Sequence, residues 1–201
     1  MASTSRVRRS MTLEEFLKLP EQKPGLEYID GRVRAKVIPQ LWHSLLTLRF
    51  VEELNDFAEP DGLGQAFPEL RCTFAGWSIV PDVAYLRQEH IDVDDRGCYV
   101  DETLIPPDIY VEILSPEQSP RKSQEKLAHS TAHGCPLGWL IDPHRRVIDV
   151  YRAGLAPERL PGDGVLDGAP VLPGFQLTVS EVFGWLYLRG PRSSSPGAET
   201  A

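Results

Sequence analysis

A short apolar stretch that carries one carboxylate, residues 108–115, constrains the fold of this chain more than any other. It reads Asp-Ile-Tyr-Val-Glu-Ile-Leu-Ser and has prolines on both sides, a pattern that predicts a buried β-strand. Because side chains alternate along a strand, Glu112 shares one face with Tyr110 and Leu114. An ionised Glu among apolar side chains is costly unless it is paired, hydrogen-bonded or bound to a cation. The fold must therefore supply Glu112 with a partner.

A second apolar stretch repeats this anomaly upstream. Residues 79–86 read Ile-Val-Pro-Asp-Val-Ala-Tyr-Leu and bring Asp82 into a predicted strand. Two carboxylates on adjacent strands favour a cation site, and hard oxygen ligands select Mg²⁺ or Mn²⁺. Lys126, on a predicted helix after the Glu112 strand, adds a positive charge. Carboxylate-held cations and a nearby cationic group are what phosphodiester hydrolysis requires.

Length and composition set the broad class. With 201 residues and 41% hydrophobic residues, the chain can form one globular domain, predicted over residues 11–188, between disordered tails at 1–10 and 189–201. It lacks an apolar run of the ~18 residues that a membrane span needs, and a signal peptide is not evident, so we expect a cytoplasmic protein with no membrane partner. Three scattered cysteines indicate free thiols.

The net charge of −8 argues against a broad nucleic-acid-binding surface but allows a local basic groove. A homo-oligomer is allowed by the sequence but not required. The tryptophans are interpreted as core or rim packing, and His129 and His133 as a solvated helix face.

The order of periodic segments predicts a mixed fold of α/β or α+β class, with a central mixed β-sheet flanked by helices. The predicted helices are residues 13–19, 41–58, 120–133, ending at Gly134, and 181–188, capped by Ser180. The predicted strands are a hairpin over 26–38 turning at Asp30-Gly31, an antiparallel pair over 65–86, then 108–115, 137–141, 147–151 and 175–179. Regular structure should be sparse in 87–105 and 154–174.

Six sequence motifs in a fixed order carry a family resemblance. They are Leu-Glu-Tyr-Ile-Asp-Gly at 26–31, the helix with His43, Pro81-Asp82-Val83, Val-Glu-Ile-Leu-Ser-Pro at 111–116, Lys126-Leu127, and Gly-Trp-Leu-Ile-Asp-Pro at 138–143. With these motifs the chain resembles the PD-(D/E)XK nuclease superfamily and, more closely, the Uma-two family of restriction-endonuclease-like proteins. The resemblance extends from about residue 26 to 188.

The resemblance implies a restriction-endonuclease-like core preceded by an N-terminal helix and hairpin. It implies a metal site in which Asp82, Glu112 and the carbonyl of Ile113 are ligands. It further implies that Glu27 is an auxiliary acid at the edge of the site and that His43 is a nearby polar group.

The catalytic lysine departs from the superfamily pattern. The superfamily has a Lys two residues after the Glu, where this chain has Leu114, and the Uma-two resemblance implies that Lys126 replaces it from the following helix. Other family positions also differ, since Lys122 replaces an acid, Ser130 a Tyr and Gly138 an aromatic residue. The expected function is a Mg²⁺- or Mn²⁺-dependent endonuclease acting on DNA.

Two alternatives remain open from the sequence. The first is a catalytically impaired relative that serves as a nucleic-acid or protein interaction module, and the second is a hydrolase of a small phosphorylated substrate. Glu112 has a structural alternative as well, an ion pair with Lys126 or Arg121. Lys126 itself is expected to reach the surface and to contribute under ~1 kcal/mol to stability.

Overall fold

The computed structural model describes residues 11–116 and 119–188, so the predicted tails at 1–10 and 189–201 lie outside the described residues. Its helices are α1 (Leu13–Leu17), α2 (Leu41–Ala58), α3 (Pro120–Ala132) and α4 (Val179–Gly184). Its strands are β1 (Leu26–Ile29), β2 (Arg32–Ala35), β3 (Gly64–Pro68), β4 (Cys72–Phe74), β5 (Trp77–Ile79), β6 (Val83–Arg87), β7 (Ile109–Ile113), β8 (Leu137–Asp142), β9 (Val147–Arg152), β10 (Glu158–Leu160), β11 (Val165–Asp167) and β12 (Gln176–Thr178). Within these ranges no helix is both long and apolar enough to cross a bilayer.

The largest sheet has six strands in the order β10-β9-β8-β7-β6-β3. Strands β7 and β8 run parallel, and the other neighbours run antiparallel, so the predicted mixed sheet is confirmed. The parallel step requires a crossover connection, and α3 provides it. Helix α2 packs against β3, β6 and β7, whereas α3 packs against β7, β8 and β9. The predicted β7 strand therefore lies between two helices.

One face of β7 belongs to the main hydrophobic core. Ile109, Val111 and Ile113 are fully buried there, together with Phe50 of α2 and Trp139 of β8. Burying side chains of this size contributes about 1.5–3 kcal/mol each, so this face supplies much of the stability of the domain.

A four-stranded sheet, in the order β2-β1-β5-β4, covers the other side near α3. Its β1–β2 hairpin turns at Asp30 and Gly31, whose φ angles of 49° and 71° are positive. Such angles match the two-residue hairpin turn that an Asp-Gly pair favours, so the predicted hairpin is confirmed. The pairing of Tyr28 with Ser78 joins β1 to β5, which brings the hairpin next to the region before β6.

The antiparallel pair predicted over residues 65–86 is wrong in detail. Four short strands occupy this range, because β3 pairs with β6 in the large sheet while β4 and β5 form a hairpin in the small one. The break comes at Glu69, which has a φ of 51° and ends the extended backbone. The β4–β5 hairpin turns near Gly76, where the sequence also predicted a turn.

The C-terminal part has more regular structure than the sequence predicted. Strands β10 and β11 lie within residues 154–174, where little regular structure was expected. Helix α4 begins earlier than predicted, because Thr178 rather than Ser180 caps it, with its Oγ1 accepting from the backbone N of Glu181. In contrast, α3 ends close to where the sequence predicts, and Gly134 has a φ of 109°.

Candidate active site

The fold brings Asp82 and Glu112 side by side at the edge where β6 begins and β7 ends. Val83 pairs with Val111 and Ala84 with Tyr110, so the next step of this antiparallel register sets Asp82 opposite Glu112. The backbone N of Ile113 donates to Asp82 Oδ2 at 2.7 Å. Both carboxylates are buried and line one cavity of about 130 Å³, which we call the carboxylate pocket.

Lys126 enters the carboxylate pocket from α3. Its Nζ lies 2.7 Å from Glu112 Oε1 and 3.0 Å from Glu27 Oε1, and only 4% of its side chain is exposed. The sequence-based expectation of a surface-reaching lysine is therefore wrong, because α3 packs directly across β7 and β8. Of the two ion pairs considered for Glu112, the one with Lys126 is present, whereas Arg121 pairs with Glu125.

Glu112 is held by neutral donors as well. Tyr110 donates from its hydroxyl to Glu112 Oε2 at 2.8 Å, and Ser123 donates to Oε1 at 3.2 Å. Burial raises the pKa of Glu112 above its usual range, and Lys126 offsets part of this effect. Burial and the neighbouring carboxylates also raise the pKa of Tyr110 well above its usual value, so the phenol stays a hydrogen-bond donor.

Asp82 has a different set of partners. Lys36 Nζ lies 2.8 Å from Oδ1, and His43 Nε2 lies 3.0 Å from Oδ2. Although burial opposes ionisation, Lys36 and His43 hold the pKa of Asp82 well below its usual range. Burial likewise opposes the charge on Lys36, but Asp82 and Glu112 outweigh it and raise the pKa of Lys36. Asp82 and Lys36 therefore form a charged pair in the folded protein.

Lys36 is the residue of the pocket that sequence reasoning missed. The signal for it lies in the hairpin, because the Asp30-Gly31 turn pairs Glu27 with Arg34. Directly opposed residues share a face, and Lys36 follows Arg34 by two positions. Glu27, Arg34 and Lys36 all line the carboxylate pocket, as this register implies.

Of the remaining candidate residues, Glu27 and His43 line the pocket, and Ile113 lies beside it. Glu27 Oε1 accepts from the backbone N of Val80 at 3.0 Å, which anchors this buried carboxylate between the small sheet and α3. Ile113, whose carbonyl was the expected further ligand, ends β7 beside Asp82. His43 is bound to Asp82 through Nε2, and its buried Nδ1 has no hydrogen-bond partner among the described residues.

The charges of the pocket are unbalanced. Within the ion-pair network, three carboxylates (Asp82, Glu112 and Glu27) face two ammonium groups (Lys36 and Lys126), an excess of one negative charge with His43 counted as neutral. Arg34 and Lys122 line the same pocket outside this network and add two positive charges there. The negative excess within the network favours an additional cation, and carboxylate and carbonyl oxygens are the donors that Mg²⁺ and Mn²⁺ prefer. In the ranges 11–116 and 119–188, no three His, Cys, Asp or Glu side chains are grouped as a metal site. Mg²⁺ needs only one or two protein carboxylates because it keeps several waters, so the donor set fits.

Lys126 can donate but cannot act as a base. Burial would lower its pKa, but Glu112, Glu27 and Asp82 outweigh burial and raise the pKa well above its ordinary value. The ammonium therefore remains charged near neutral pH. A fixed, dry positive charge of this kind stabilises negative charge that develops on a substrate.

The chain matches a family model over most of its length and is similar to solved structures. The family described as "Uma2: Putative restriction endonuclease" matches residues 13–180. The crystal structure of a "putative nuclease belonging to DUF820" from Anabaena variabilis is similar, with a TM-score of 0.85 and 37% identity, covering 88% of this chain and 99% of that one. It supports the predicted restriction-endonuclease-like core.

A second solved structure, described as a DrdV–DNA complex, has a TM-score of 0.34 and 17% identity, and the match covers 56% of this chain and 10% of that one. Similarity at this level informs neither the fold nor the function. No curated protein matches the chain.

Proposed function

Since the chain belongs to the Uma2 restriction-endonuclease family, we propose that it is a Mg²⁺- or Mn²⁺-dependent endonuclease that hydrolyses DNA phosphodiester bonds in the carboxylate pocket. One observation carries this proposal. Asp82, Glu112 and Lys126 come from three separate segments, and all three line one buried pocket. Hydrolysis of a phosphodiester needs this combination of oxygen ligands and fixed positive charge.

Asp82, Glu112 and the Ile113 carbonyl are the groups that would hold the cation. When bound, a hard divalent cation polarises a phosphoryl oxygen and lowers the pKa of a coordinated water. With one such ion, the five side chains of the ion-pair network and the ion together would carry one net positive charge, which a single phosphodiester group neutralises. The charge of the network therefore suits one cation and one phosphate together. Arg34 and Lys122 would remain for further phosphates of the strand.

Lys126 has the role of a fixed donor. Held between Glu112 and Glu27, its ammonium group is oriented before substrate arrives, so no reorganisation is needed when charge develops on the phosphoryl oxygens. Because Lys36 and Lys126 stay protonated, neither of them removes the proton from the attacking water. That proton must pass to an acceptor other than these two lysines.

The basic groups at the mouth of the pocket would bind the rest of the DNA backbone. Arg34, Lys36 and Lys122 line the pocket around the buried carboxylates. Lysine and arginine contacts to phosphates fix the position of a strand without reading its sequence. This local concentration of positive charge is what an acidic protein needs in order to bind a polyanion.

The test is a cleavage assay on plasmid and single-stranded DNA with the Mg²⁺ concentration varied. We expect the wild type to cut only when Mg²⁺ or Mn²⁺ is present, and Asp82→Asn to lose both cleavage and metal binding by calorimetry. Asp149→Asn is the matched control, because Asp149 pairs with Arg159 on β10, outside the pocket. Wild-type cleavage that persists in EDTA, or in Asp82→Asn, would overturn the proposal.

A non-catalytic interaction module is the second candidate, and one observation favours it. Both metal-ligand carboxylates are already paired with lysines, Asp82 with Lys36 and Glu112 with Lys126. A pocket that serves only as a structural ion-pair network would look the same. Binding of DNA without cleavage at any Mg²⁺ or Mn²⁺ concentration would favour this second function.

A further inference from the structure

A second cavity opens directly beside the carboxylate pocket. Its volume is about 250 Å³, and it lies between the start of α2, the segment after β7 and the turn after β8. The residues that matter here are Trp42, His43, Ser115, Pro116, Pro143 and His144. His43 and Ser115 line both cavities, so the two spaces share a wall. We call this second space the side cavity.

Trp42 gives the side cavity an aromatic wall. Its ring centroid lies 5.3 Å from that of His144, with the ring planes tilted by 35°, and 39% of the residue is exposed. The neighbouring Leu41 and Ile38 are 79% and 71% exposed. Apolar side chains this exposed contribute little to the core of the domain, and an exposed tryptophan next to a cavity is suited to stack on a planar ligand.

The position of Trp42 relative to the carboxylate pocket identifies the ligand. Trp42 precedes His43, whose Nε2 is 3.0 Å from Asp82 Oδ2. Because His43 also lines both cavities, a phosphate bound near Asp82 would have an adjoining nucleoside within reach of the shared wall. The planar group nearest to a phosphodiester is the base of the adjoining nucleotide.

We propose that the side cavity binds an unpaired nucleobase next to the scissile phosphate, stacked on Trp42, and that the substrate is accordingly single-stranded DNA. This inference rests on the proposed nuclease function. A base in a duplex must be unstacked and unpaired before it can enter such a cavity, at a cost of a few kcal/mol, whereas a single strand avoids most of that cost. Stacking on an aromatic side chain tolerates any base, so the cavity selects strandedness rather than sequence.

The charge of the nearby hairpin agrees with a single strand crossing this region. Arg32, Arg34 and Lys36 alternate along β2 and its end, so they share one face of the hairpin arm. Arg34 and Lys36 line the carboxylate pocket. Basic side chains that follow a strand's backbone, combined with aromatic groups on which bases stack, are the usual means of binding single-stranded nucleic acid.

The experiment measures binding of the full-length protein to a labelled single-stranded oligo-dT and to a duplex of the same length by fluorescence anisotropy. Ca²⁺ replaces Mg²⁺, and gels verify that the DNA stays intact. Trp42→Ala should weaken single-strand binding about 5- to 150-fold, the equivalent of about 1–3 kcal/mol for one stacked base. Duplex binding should hardly change, and Trp42→Phe should keep most of the single-strand affinity.

The control variant is Tyr99→Ala. Tyr99 is also an exposed aromatic residue, but it packs against Phe67 and hydrogen-bonds Gln65 of the edge strand β3. Its loss should leave both affinities unchanged. An abasic single strand distinguishes the loss of base stacking from a folding defect. Because it has no base to stack, Trp42→Ala should bind it almost as tightly as the wild type does, whereas a folding defect would weaken binding of this strand too.

The outcomes separate the two proposals. The base-binding role is overturned if Trp42→Ala binds the single strand as tightly as the wild type, or if it loses affinity equally for both DNAs. Neither result bears on the proposal that the protein is a metal-dependent nuclease. A wild type that prefers duplex DNA also overturns it. If the wild type binds neither DNA, the nuclease function fails, and the base-binding role fails with it.

Discussion

The two faces of β7 carry opposite kinds of side chain, although their residues alternate along a single strand. On the α2 side, Ile109, Val111 and Ile113 pack in a core of fully buried apolar groups. On the α3 side, Tyr110 and Glu112 belong to a buried network of hydrogen bonds and ion pairs. The difference teaches that one strand can face an apolar core on one side and, on the other, hold buried charges among apolar neighbours such as Leu127 and Leu140. Both faces contribute to stability, but only the α3 side carries the groups proposed for chemistry.

Removing a large side chain from the core on the α2 side of the sheet should have the largest effect on stability. Trp139→Ala deletes a fully buried indole that packs against Phe50 and Phe175, and we expect a loss of about 3–5 kcal/mol in the free energy of unfolding. Urea denaturation followed by circular dichroism measures this loss. The fraction of protein that remains folded should keep its metal affinity. A urea midpoint equal to that of the wild type would show that the core on the α2 side contributes less to stability than we expect.

Breaking the ion pairs of the polar face should cost somewhat less. Lys126→Met leaves Glu112 and Glu27 without their shared cation, and we expect a loss of about 3 kcal/mol, at the low end of the range for a broken buried pair. Tyr110 and Ser123 still donate to Glu112, which limits the loss. The double variant Glu112→Gln/Lys126→Met should recover part of it, whereas Lys122→Met at the rim should be mild.

If Lys126→Met has the same free energy of unfolding as Lys122→Met, then Lys126 does not stabilise the fold, and only its proposed role in catalysis remains. The same urea denaturation decides this point.

A smaller effect is expected on cation binding. Lys36 occupies Asp82 Oδ1 at 2.8 Å, so a metal ion must compete with its ammonium group. Lys36→Met should therefore tighten Mn²⁺ binding about tenfold, which corresponds to about 1.4 kcal/mol and is near the value of one charged hydrogen bond. Isothermal titration calorimetry measures it, with Arg34→Met as the control. Unchanged affinity would mean that Lys36 and the cation do not share Asp82.

The smallest effect concerns pH and the far end of the α3 face. His129 stacks on Trp77 with 3.8 Å between ring centroids, and burial together with nearby His133 lowers the pKa of His129 from 6.5 to about 4. A lowered pKa in the folded state means that the stability is present above pH 6.5 and is lost as the pH falls toward 4. Because the side chain is only half-buried and solvent screens part of the effect, we expect a change of only about 1 kcal/mol.

His129→Gln should flatten the dependence of the thermal midpoint on pH in this window, whereas His144→Gln should not. An equal slope in wild type and His129→Gln would assign the pH dependence to other groups.

Sequence patterns predicted those elements of the fold that depend on residues close together in the chain. The alternation around Glu112 predicted β7, the Asp30-Gly31 pair predicted the hairpin, and helical periodicity predicted α2 and α3. The break at Glu69 was missed because this residue adopts a left-handed φ without the Gly or Asn that signals it.

The hairpin register places Lys36 on the same face as Glu27, but its contact with Asp82 could not be predicted from local pattern. The same holds for the burial of Lys126, because both depend on how the small sheet and α3 pack over β7. Lys36 reaches Asp82 from 46 residues away along the chain. The family resemblance identified Lys126 as a candidate catalytic residue, but it gave no indication of a role for Lys36.

The bond between Lys126 and Glu27 joins residues that are 99 positions apart in the sequence. Closing so long a loop has an entropic cost that earlier contacts must already have met. The pocket therefore comes together only after the hairpin, β6, β7 and α3 have all docked. A fragment without the first 36 residues would lack Glu27 and Lys36, and with them two of the five charged side chains that define the site. The site therefore forms only in the fully folded domain, since a partly folded chain contains the residues of the site but does not hold them in the required geometry.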